Sequence, residues 1–178
     1  MVTGHDDEGR AIFVDDRQLD PITLSLIPGA EYHRLWGGNE PPSFPDDGSP
    51  RATDPFFPPV GGYRFLIFTL PPGHRQTAAP PEGLAAAMAE MEERLPGALA
   101  HFDPESPGMH TTASVDFEVV LEGEVWLELD DGAEVLLEPG DTVVQNGTRH
   151  AWRNRGDAPA RLVAFLVGAH HANVTPMK

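Results

Sequence analysis

The sequence contains no cysteine. Disulfide bonds, thiolate nucleophiles and metal sites built from thiolates are therefore excluded. Positive charge is also scarce, because 12 Lys and Arg residues stand against 28 Asp and Glu residues, a formal net charge of −16, and the one lysine is Lys178. Such a chain repels phosphate backbones and anionic membranes, so we expect neither nucleic acid nor a membrane as a partner.

Long apolar segments are missing as well. No stretch of the sequence is apolar over the length of a membrane span, and residues 1–10 are polar and acidic, unlike a secretory signal. These two features predict a cytoplasmic protein. The length of 178 residues suffices for one domain with a sizeable core and leaves no room for a second large domain.

Short apolar runs separated by turn-forming residues dominate the second half of the chain. Gly, Asn, Asp and Pro punctuate them, residues that favour tight turns. The predicted strands are residues 115–121, 124–130, 133–137, 142–145, 150–154 and 160–167. Because no helical pattern interrupts them, this spacing predicts an antiparallel sandwich or a barrel closed on itself.

The sequence pattern in the first half of the chain predicts further strands, one long loop and one helix. The strands are expected at residues 12–14, 22–27, 31–36 and 63–70. Between residues 37 and 62 the chain is rich in Pro, Gly and Asp, which predicts a loop, with Phe56 and Phe57 as an anchor onto the rest of the fold. Residues 84–95 repeat apolar side chains at helical spacing before Pro96. This helix would pack on the exterior, cover a pocket or form a dimer contact.

Ionisable side chains share one face of a predicted strand. Side chains alternate between the faces of a strand, so one face carries His110, Thr112, Ser114, Asp116 and Glu118, and the opposite face is apolar. A polar face turned to water would explain this pattern. A second strand places His150, Trp152 and Asn154 on one face, and a Trp beside a His is poorly explained as solvated surface. The alternative is that both faces look into one cavity.

The same residues resemble the two signature motifs of the cupin superfamily. His110, Asp116 and Gly123 stand at the first His, the Glu and the Gly of the first motif, whereas Thr112 replaces its second His. The matches to the second motif are Gly140, Gly147, His150 and Asn154. The resemblance implies an all-β, cupin-type antiparallel β-barrel (jelly roll) with N-terminal strand extensions and one inserted helix.

The resemblance also implies how the chain is organised. Residues 1–107 would supply strands, the long loop and the inserted helix, packed on a barrel core at residues 108–168, and residues 169–178 would form a tail. Many cupins are homodimers, and the apolar strands at residues 22–27 and 162–167 would pair across a two-fold axis.

A divalent transition metal is the cofactor that the resemblance implies. His110, Asp116 and His150 would be its ligands, and two imidazoles with one carboxylate are the set that holds non-haem iron(II). Iron, manganese and zinc all remain open. Glu118 is an alternative carboxylate ligand or a base beside the metal, which makes Asp116 and Glu118 the candidate catalytic groups. The other interpretation is a polar pocket without metal, in which the histidines only form hydrogen bonds.

Three classes of function follow for such a site. The first is a non-haem iron dioxygenase, the second a redox-neutral lyase, dehydratase or isomerase, and the third a non-catalytic module that binds small molecules. The pocket residues are expected to be Thr112, Trp152, Asn154, Arg64 and Trp36. Aromatic walls with a cationic end would suit a small aromatic or carboxylated metabolite.

Overall fold

The computed structural model describes residues 1–73 and 83–174. The C-terminal tail is thus described only as far as residue 174. Within these residues no helix is long and apolar enough to cross a membrane. The elements in chain order are β1 (Val2–His5), β2 (Ala11–Asp15), β3 (Ile22–Leu24), β4 (Ile27–Gly38), β5 (Tyr63–Leu70), α1 (Leu84–Arg94), a short 3₁₀ helix (Ala98–His101), β6 (Ser114–Glu122), β7 (Val125–Glu128), a 3₁₀ turn (Asp130–Gly132), β8 (Glu134–Leu137), β9 (Thr142–Asn146), β10 (Ala151–Arg153) and β11 (Ala160–Gly168).

Two antiparallel sheets enclose the core. A six-stranded sheet with the order β3-β4-β5-β11-β6-β9 faces a three-stranded sheet with the order β10-β7-β8, and β1 and β2 form a separate hairpin. Leu66 and Leu162 of the larger sheet belong to one buried cluster with Val125 and Leu127 of the smaller sheet. The prediction of an all-β antiparallel jelly roll with one inserted helix is confirmed. In the described part of the chain the strands form two facing sheets and not one continuous hydrogen-bonded ring.

The strands β3, β4 and β5 from the first half of the chain are integral to the larger sheet. β5 pairs with β11 along its whole length, so β11 lies between β5 and β6. The backbone groups of β11 are therefore engaged on both sides, and residues 162–167 cannot pair with a second copy as we expected. The apolar run at residues 22–27 is also interrupted, because the chain turns at Ser25 and Leu26 between β3 and β4. Serine favours turns only weakly and leucine does not favour them, which is why the sequence pattern hides this turn.

Gly123 makes the connection between β6 and β7 possible. Its φ of 71° lies in the left-handed region, and a Cβ atom there would lie 2.3 Å from the backbone oxygen of Pro159. Only glycine accommodates both conditions. The turn thus packs directly against the segment that leads into β11, which fixes β6 beside β11.

Helix α1 covers one end of the space between the sheets. Its buried side chains include Met91, and Leu95 at its C-terminal cap is also buried. Glu90 ties the helix to the β3–β4 turn, because its Oε2 accepts a hydrogen bond of 3.0 Å from the backbone N–H of Ser25. The helix therefore packs onto the core and is more than an exterior addition.

Candidate active site

The polar face of β6 points into the protein. Ser114, Asp116 and Glu118 are buried, whereas Phe117 and Leu121 on the other face are 48% and 41% exposed. The ordinary arrangement, in which apolar side chains face the core, is reversed on this strand. The explanation that the ionisable face is turned to water is therefore wrong.

His110 and His150 lie side by side in this interior. The backbone N–H of His110 donates to the carbonyl of His150 at 2.9 Å, and the reverse bond measures 3.0 Å. This isolated bridge places the two imidazole rings 4.2 Å apart between centroids. Thus the two histidines that match the motifs meet, although they are 40 positions apart in the sequence.

Backbone carbonyls set the tautomer of both imidazoles. The Nδ1 atom of His110 is 3.0 Å from the carbonyl oxygen of Gly108, and that of His150 is 2.9 Å from the carbonyl oxygen of Thr148. Because a carbonyl only accepts, each Nδ1 carries the proton and each Nε2 keeps a free lone pair. This is the partner that a metal-binding histidine needs for its second nitrogen.

Burial keeps both imidazoles neutral. Desolvation, with a smaller contribution from the neighbouring His150, lowers the pKa of His110 to about 3. Desolvation likewise lowers the pKa of His150 to about 4. The neutral ring is the form that binds metals and accepts protons.

Two carboxyl groups lie in the same interior. Asp116 and Glu118 are 4% and 5% exposed, and their atoms Oδ1 and Oε2 have no hydrogen-bond partner among the described residues. The other oxygen of Asp116 is 3.4 Å from the hydroxyl group of Thr112. Desolvation raises the pKa of Asp116 to about 6, and desolvation together with the nearby Asp116 raises the pKa of Glu118 well above its usual value. Unpartnered buried carboxyl oxygens are costly, which marks this place as a site for a ligand.

The four ionisable groups line one small cavity. Its volume is about 90 Å³, and apart from Tyr32 the remaining wall is apolar. The aromatic side chains Phe57, Phe102 and Trp152 belong to this wall, as do Met91 and Leu95 at the C-terminal end of α1. Among the predicted pocket residues, Trp152 lines the cavity and Thr112 contacts it through Asp116.

The side-chain amide of Asn154 forms hydrogen bonds with three backbone groups. Its Nδ2 donates to the carbonyls of Leu70 and Ala158 at 3.1 and 2.8 Å, and its Oδ1 accepts from the N–H of Gly156 at 2.9 Å. With these bonds its amide is satisfied inside the protein. The expectation that Asn154 lines the pocket is therefore corrected to a role in the turn after β10.

Arg64 and Trp36 also lie away from the central cavity. The buried guanidinium group of Arg64 donates to Asn39 Oδ1 and to the backbone carbonyls of residues 38, 55, 56 and 63. Trp36 lines a second cleft of about 750 Å³ beside the β1–β2 hairpin, here called the outer cleft, which shares only Phe56 and Leu66 with the central cavity. In the described part of the chain no Arg or Lys side chain lines the central cavity, so the cationic end that we expected there is wrong.

Sequence reasoning missed most of the apolar wall. Phe102, Met91 and Leu95 carry no pattern that distinguishes a cavity wall from ordinary core. Phe57 was expected only to anchor the long loop, and it does so by stacking 6.4 Å from the ring of His110. His101 touches the other side of Phe57 at 4.7 Å without lining the cavity, whereas His33 lies in the outer cleft.

A transition-metal ion requires several donor side chains that converge on one point. Among residues 1–73 and 83–174, no group of three or more His, Asp and Glu side chains is arranged to hold a metal. The chemistry of the donors nevertheless fits one, because two Nε2 lone pairs and two carboxyl groups with unpartnered oxygens share the cavity. His110, His150 and one of Asp116 and Glu118 would hold the ion.

Comparisons with known proteins agree with the motifs. The Cupin domain family matches residues 98–166. The chain is 29% identical to the "Cupin-domain-containing oxidoreductase fogC" of Aspergillus ruber, over 99% of this chain and 75% of that protein. A segment covering 33% of the chain is 55% identical to the "Phomopsin biosynthesis cluster protein C'" of Diaporthe leptostromiformis, and it spans 31% of that relative's length.

A solved structure gives a further likeness. A predicted oxalate decarboxylase from Thermotoga maritima is 16% identical, with a TM-score of 0.48 over 88% of this chain and 99% of that one. The match of the Cupin domain family contains both motifs, and it ends in β11, the strand beside β6. From its motifs, its jelly-roll strands and the match of the domain family, we conclude that residues 98–166 of this chain form a domain of the cupin superfamily.

Proposed function

We propose that the protein is a metal-dependent oxidoreductase that acts on a small metabolite in the central cavity. The observation that carries this proposal is the pair of adjacent imidazoles, each with its Nδ1 bonded to a backbone carbonyl and its Nε2 free, beside two buried carboxyl groups. Cupin domains usually bind a metal, which supports this use of the donors. A redox-active metal would supply electron transfer to dioxygen.

The protein's own groups would prepare the site for that chemistry. The carbonyls of Gly108 and Thr148 hold the rings in one orientation and in the tautomer that a metal requires. Phe57, Phe102 and Trp152 exclude bulk water, which strengthens electrostatic interactions inside the cavity. Of the two carboxyl groups, the one that is not a ligand is placed to take a proton from the substrate or to return one.

The two enzyme classes rest on different observations. The relative from Aspergillus ruber is named an oxidoreductase and aligns over nearly the whole chain, which favours the dioxygenase class. The buried pair Asp116 and Glu118 supports a redox-neutral lyase, dehydratase or isomerase, because one carboxyl group donates a proton while the other accepts one. A binding module without catalysis is the function that remains if no metal binds.

Metal binding tests the proposal directly. We expect protein purified without added metal to contain or take up about one equivalent of divalent transition metal per chain, measured by elemental analysis and calorimetric titration. His110→Ala and His150→Ala should each weaken the binding at least tenfold. His101→Ala is the matched control, because His101 lies near the site but outside the cavity. Equal binding in all three variants, or no binding to the unaltered protein, would overturn the proposal.

Iron loading tests, without knowledge of the substrate, whether the site holds iron with coordination positions open to dioxygen. Protein loaded with iron(II) under anaerobic conditions should give a high-spin nitrosyl signal in electron paramagnetic resonance when nitric oxide is added, because a site with few protein ligands leaves positions open. The signal should disappear in His150→Ala. Tight binding of zinc or manganese combined with no iron signal would favour the redox-neutral class.

We also propose that the protein is a homodimer whose interface is the outer face of the six-stranded sheet. Phe65 is the cross-strand neighbour of Phe165, Phe165 of Phe117, and Phe117 of Val144. All four are at least one third exposed and form an apolar strip without charge on a protein of net charge −16. A continuous exposed apolar strip is typical of an interface, and a two-fold axis pairs such a strip with itself.

A further inference from the structure

We infer that the central cavity selects uncharged, mainly apolar molecules that carry one aromatic ring and a hydroxyl or carbonyl oxygen, and that it rejects carboxylates. The inference rests on the proposed function and names its substrate class. It replaces the carboxylated metabolite that the sequence suggested, because the side chains that suggested it lie elsewhere.

The cavity wall has no cation to compensate an anionic ligand. None of the side chains that line it in the described part of the chain is Arg or Lys, and the imidazole of His150 is buried while that of His110 is partly buried. Arg64, the arginine closest in the sequence to the cavity residues Leu66 and Phe68, donates to backbone carbonyls. A carboxylate moved from water into such surroundings loses its hydration without gaining a partner.

The carboxyl groups of Asp116 and Glu118 also disfavour an anionic ligand, whether they are ionised or neutral. As carboxylates they repel an anion, and as neutral acids they offer it no positive charge. A divalent metal held by the two neutral imidazoles and one carboxylate does not reverse this argument, because the second carboxyl group, when ionised beside it, would leave the cavity without net charge. A neutral hydroxyl group, in contrast, can donate a hydrogen bond to the unpartnered Asp116 Oδ1 or Glu118 Oε2, and a carbonyl oxygen can accept one from whichever of the two groups is a neutral acid.

The remainder of the wall favours an aromatic body. Phe57, Phe102 and Trp152 present aromatic surface, and a ring packs on such surface at its edge or with an offset. The volume of about 90 Å³ is below the roughly 150 Å³ of a dry cavity that takes up benzene. A single ring therefore enters only if a nearby side chain moves, and the unbranched side chain of Met91 at the end of α1 is the one in the wall most able to adapt.

The outer cleft is the contrasting surface. Five arginines line it, namely Arg17, Arg34, Arg51, Arg64 and Arg161, together with two aspartates. Arg161 forms no ion pair among the described residues, and its Nε is buried without a partner. Carboxylates that bind this protein should therefore collect in the outer cleft and not in the central cavity.

Two tryptophans distinguish these places in one experiment. Trp152 lines the central cavity and Trp36 lines the outer cleft, so their indole N–H signals in a ¹H–¹⁵N spectrum report separately. Trp152→Phe and Trp36→Phe assign the signals. Metal-free and zinc-loaded protein would each be titrated with benzyl alcohol and with benzoate, which have one ring and nearly the same size but differ in charge.

We expect benzyl alcohol to shift the Trp152 signal in a saturable way, with an affinity at least tenfold higher than that of benzoate. Any shift by benzoate should fall on Trp36 and vanish in Arg161→Gln. Met91→Arg, which adds a cation to the cavity wall, should reverse the preference, with Met91→Leu as the matched control. If Met91→Arg fails to fold, the ligand pair on the unaltered protein still decides the matter.

The outcomes separate the inference from the proposed function. Equal or tighter binding of benzoate at Trp152, or no shift of Trp152 by benzyl alcohol, would overturn the inference even in protein that binds zinc. Selective binding of benzyl alcohol by protein that takes up no divalent transition metal would sustain the inference and refute the metal-dependent function.

Discussion

At the scale of single residues, Asp116 links burial to stability most directly. Its pKa is raised from 3.8 to about 6 by desolvation, so the folded protein keeps this proton at a pH where the unfolded chain has released it. The stabilisation that protonated Asp116 gives to the metal-free folded protein, relative to ionised Asp116, is therefore lost as the pH rises from about 4 to about 6. It remains lost at higher pH. His110 and His150 act in the opposite sense, because their lowered pKa values destabilise the folded state as the pH falls below about 6.5.

Asp116→Asn should remove the first of these effects. A shift of about two pKa units corresponds to roughly 3 kcal/mol, so the variant should be more stable than the unaltered metal-free protein by up to this amount at pH 7.5 and by little at pH 4. Urea denaturation at both pH values measures the difference. The histidines contribute equally to both proteins and cancel in the comparison. A change in the free energy of unfolding that is independent of pH would show that Asp116 is not buried as a free acid.

Asn154 permits a test of its structural role. Asn154→Ala would leave the carbonyls of Leu70 and Ala158 unpaired in a buried place, with an expected cost of about 2–4 kcal/mol in the free energy of unfolding. Asn146→Ala at the exposed end of β9 is the control and should change little. Folded Asn154→Ala protein should bind metal like the unaltered protein. Weakened metal binding without loss of stability would instead place Asn154 in the site.

The residues of the site were predictable to different degrees. The period of two along residues 110–118 identifies His110, Asp116 and Glu118 as one group, and the second motif adds His150. The roles of Asn154 and Arg64 were not predictable, because they depend on backbone carbonyls distant in the sequence. Asn154 and Leu70, for example, are 84 positions apart.

At the scale of elements, turn residues and apolar periodicity fixed most boundaries. β5 was predicted residue for residue, and α1 was predicted with its last residue, Leu95, as the cap. The turn at Ser25 and Leu26 was not predicted, because its formation depends on the pairing of β3 with β4 and on the hydrogen bond from the backbone N–H of Ser25 to Glu90. Periodicity also placed Met88 on the apolar face of α1, although it is 42% exposed.

The two methionines of α1 provide a matched pair. Met91 is 2% exposed, lines the cavity and belongs to the core cluster, whereas Met88 is largely exposed. Met91→Ala should cost about 2–5 kcal/mol in the free energy of unfolding, because it leaves a void between α1 and the sheets. Met88→Ala should change it by less than about 0.5 kcal/mol. Chemical denaturation of both variants measures the difference, and equal costs would show that α1 does not seal the cavity.

At the scale of the whole molecule, the position of the site determines which face of the large sheet is buried and which is exposed. Alternation along β6 defines two faces, but it does not state which one is buried. The ionisable face is inside because His150 and Trp152 close the cavity from the facing sheet, and the apolar face is left outside. The strip of Phe65, Phe165, Phe117 and Val144 thus follows from placing the site inside the fold, and it is the reason to expect a second copy against it.

Substitutions on two exposed valines test that expectation. Val144 ends the apolar strip and is 56% exposed, whereas Val135 on β8 of the smaller sheet is 49% exposed. Sedimentation at micromolar concentration should give a dimer for the unaltered protein and for Val135→Glu. Val144→Glu combined with Phe117→Glu should give a folded monomer, because carboxylates buried at a symmetric interface repel each other and lose their hydration. A monomer for the unaltered protein, or a dimer that survives both substitutions on the strip, would refute this interface.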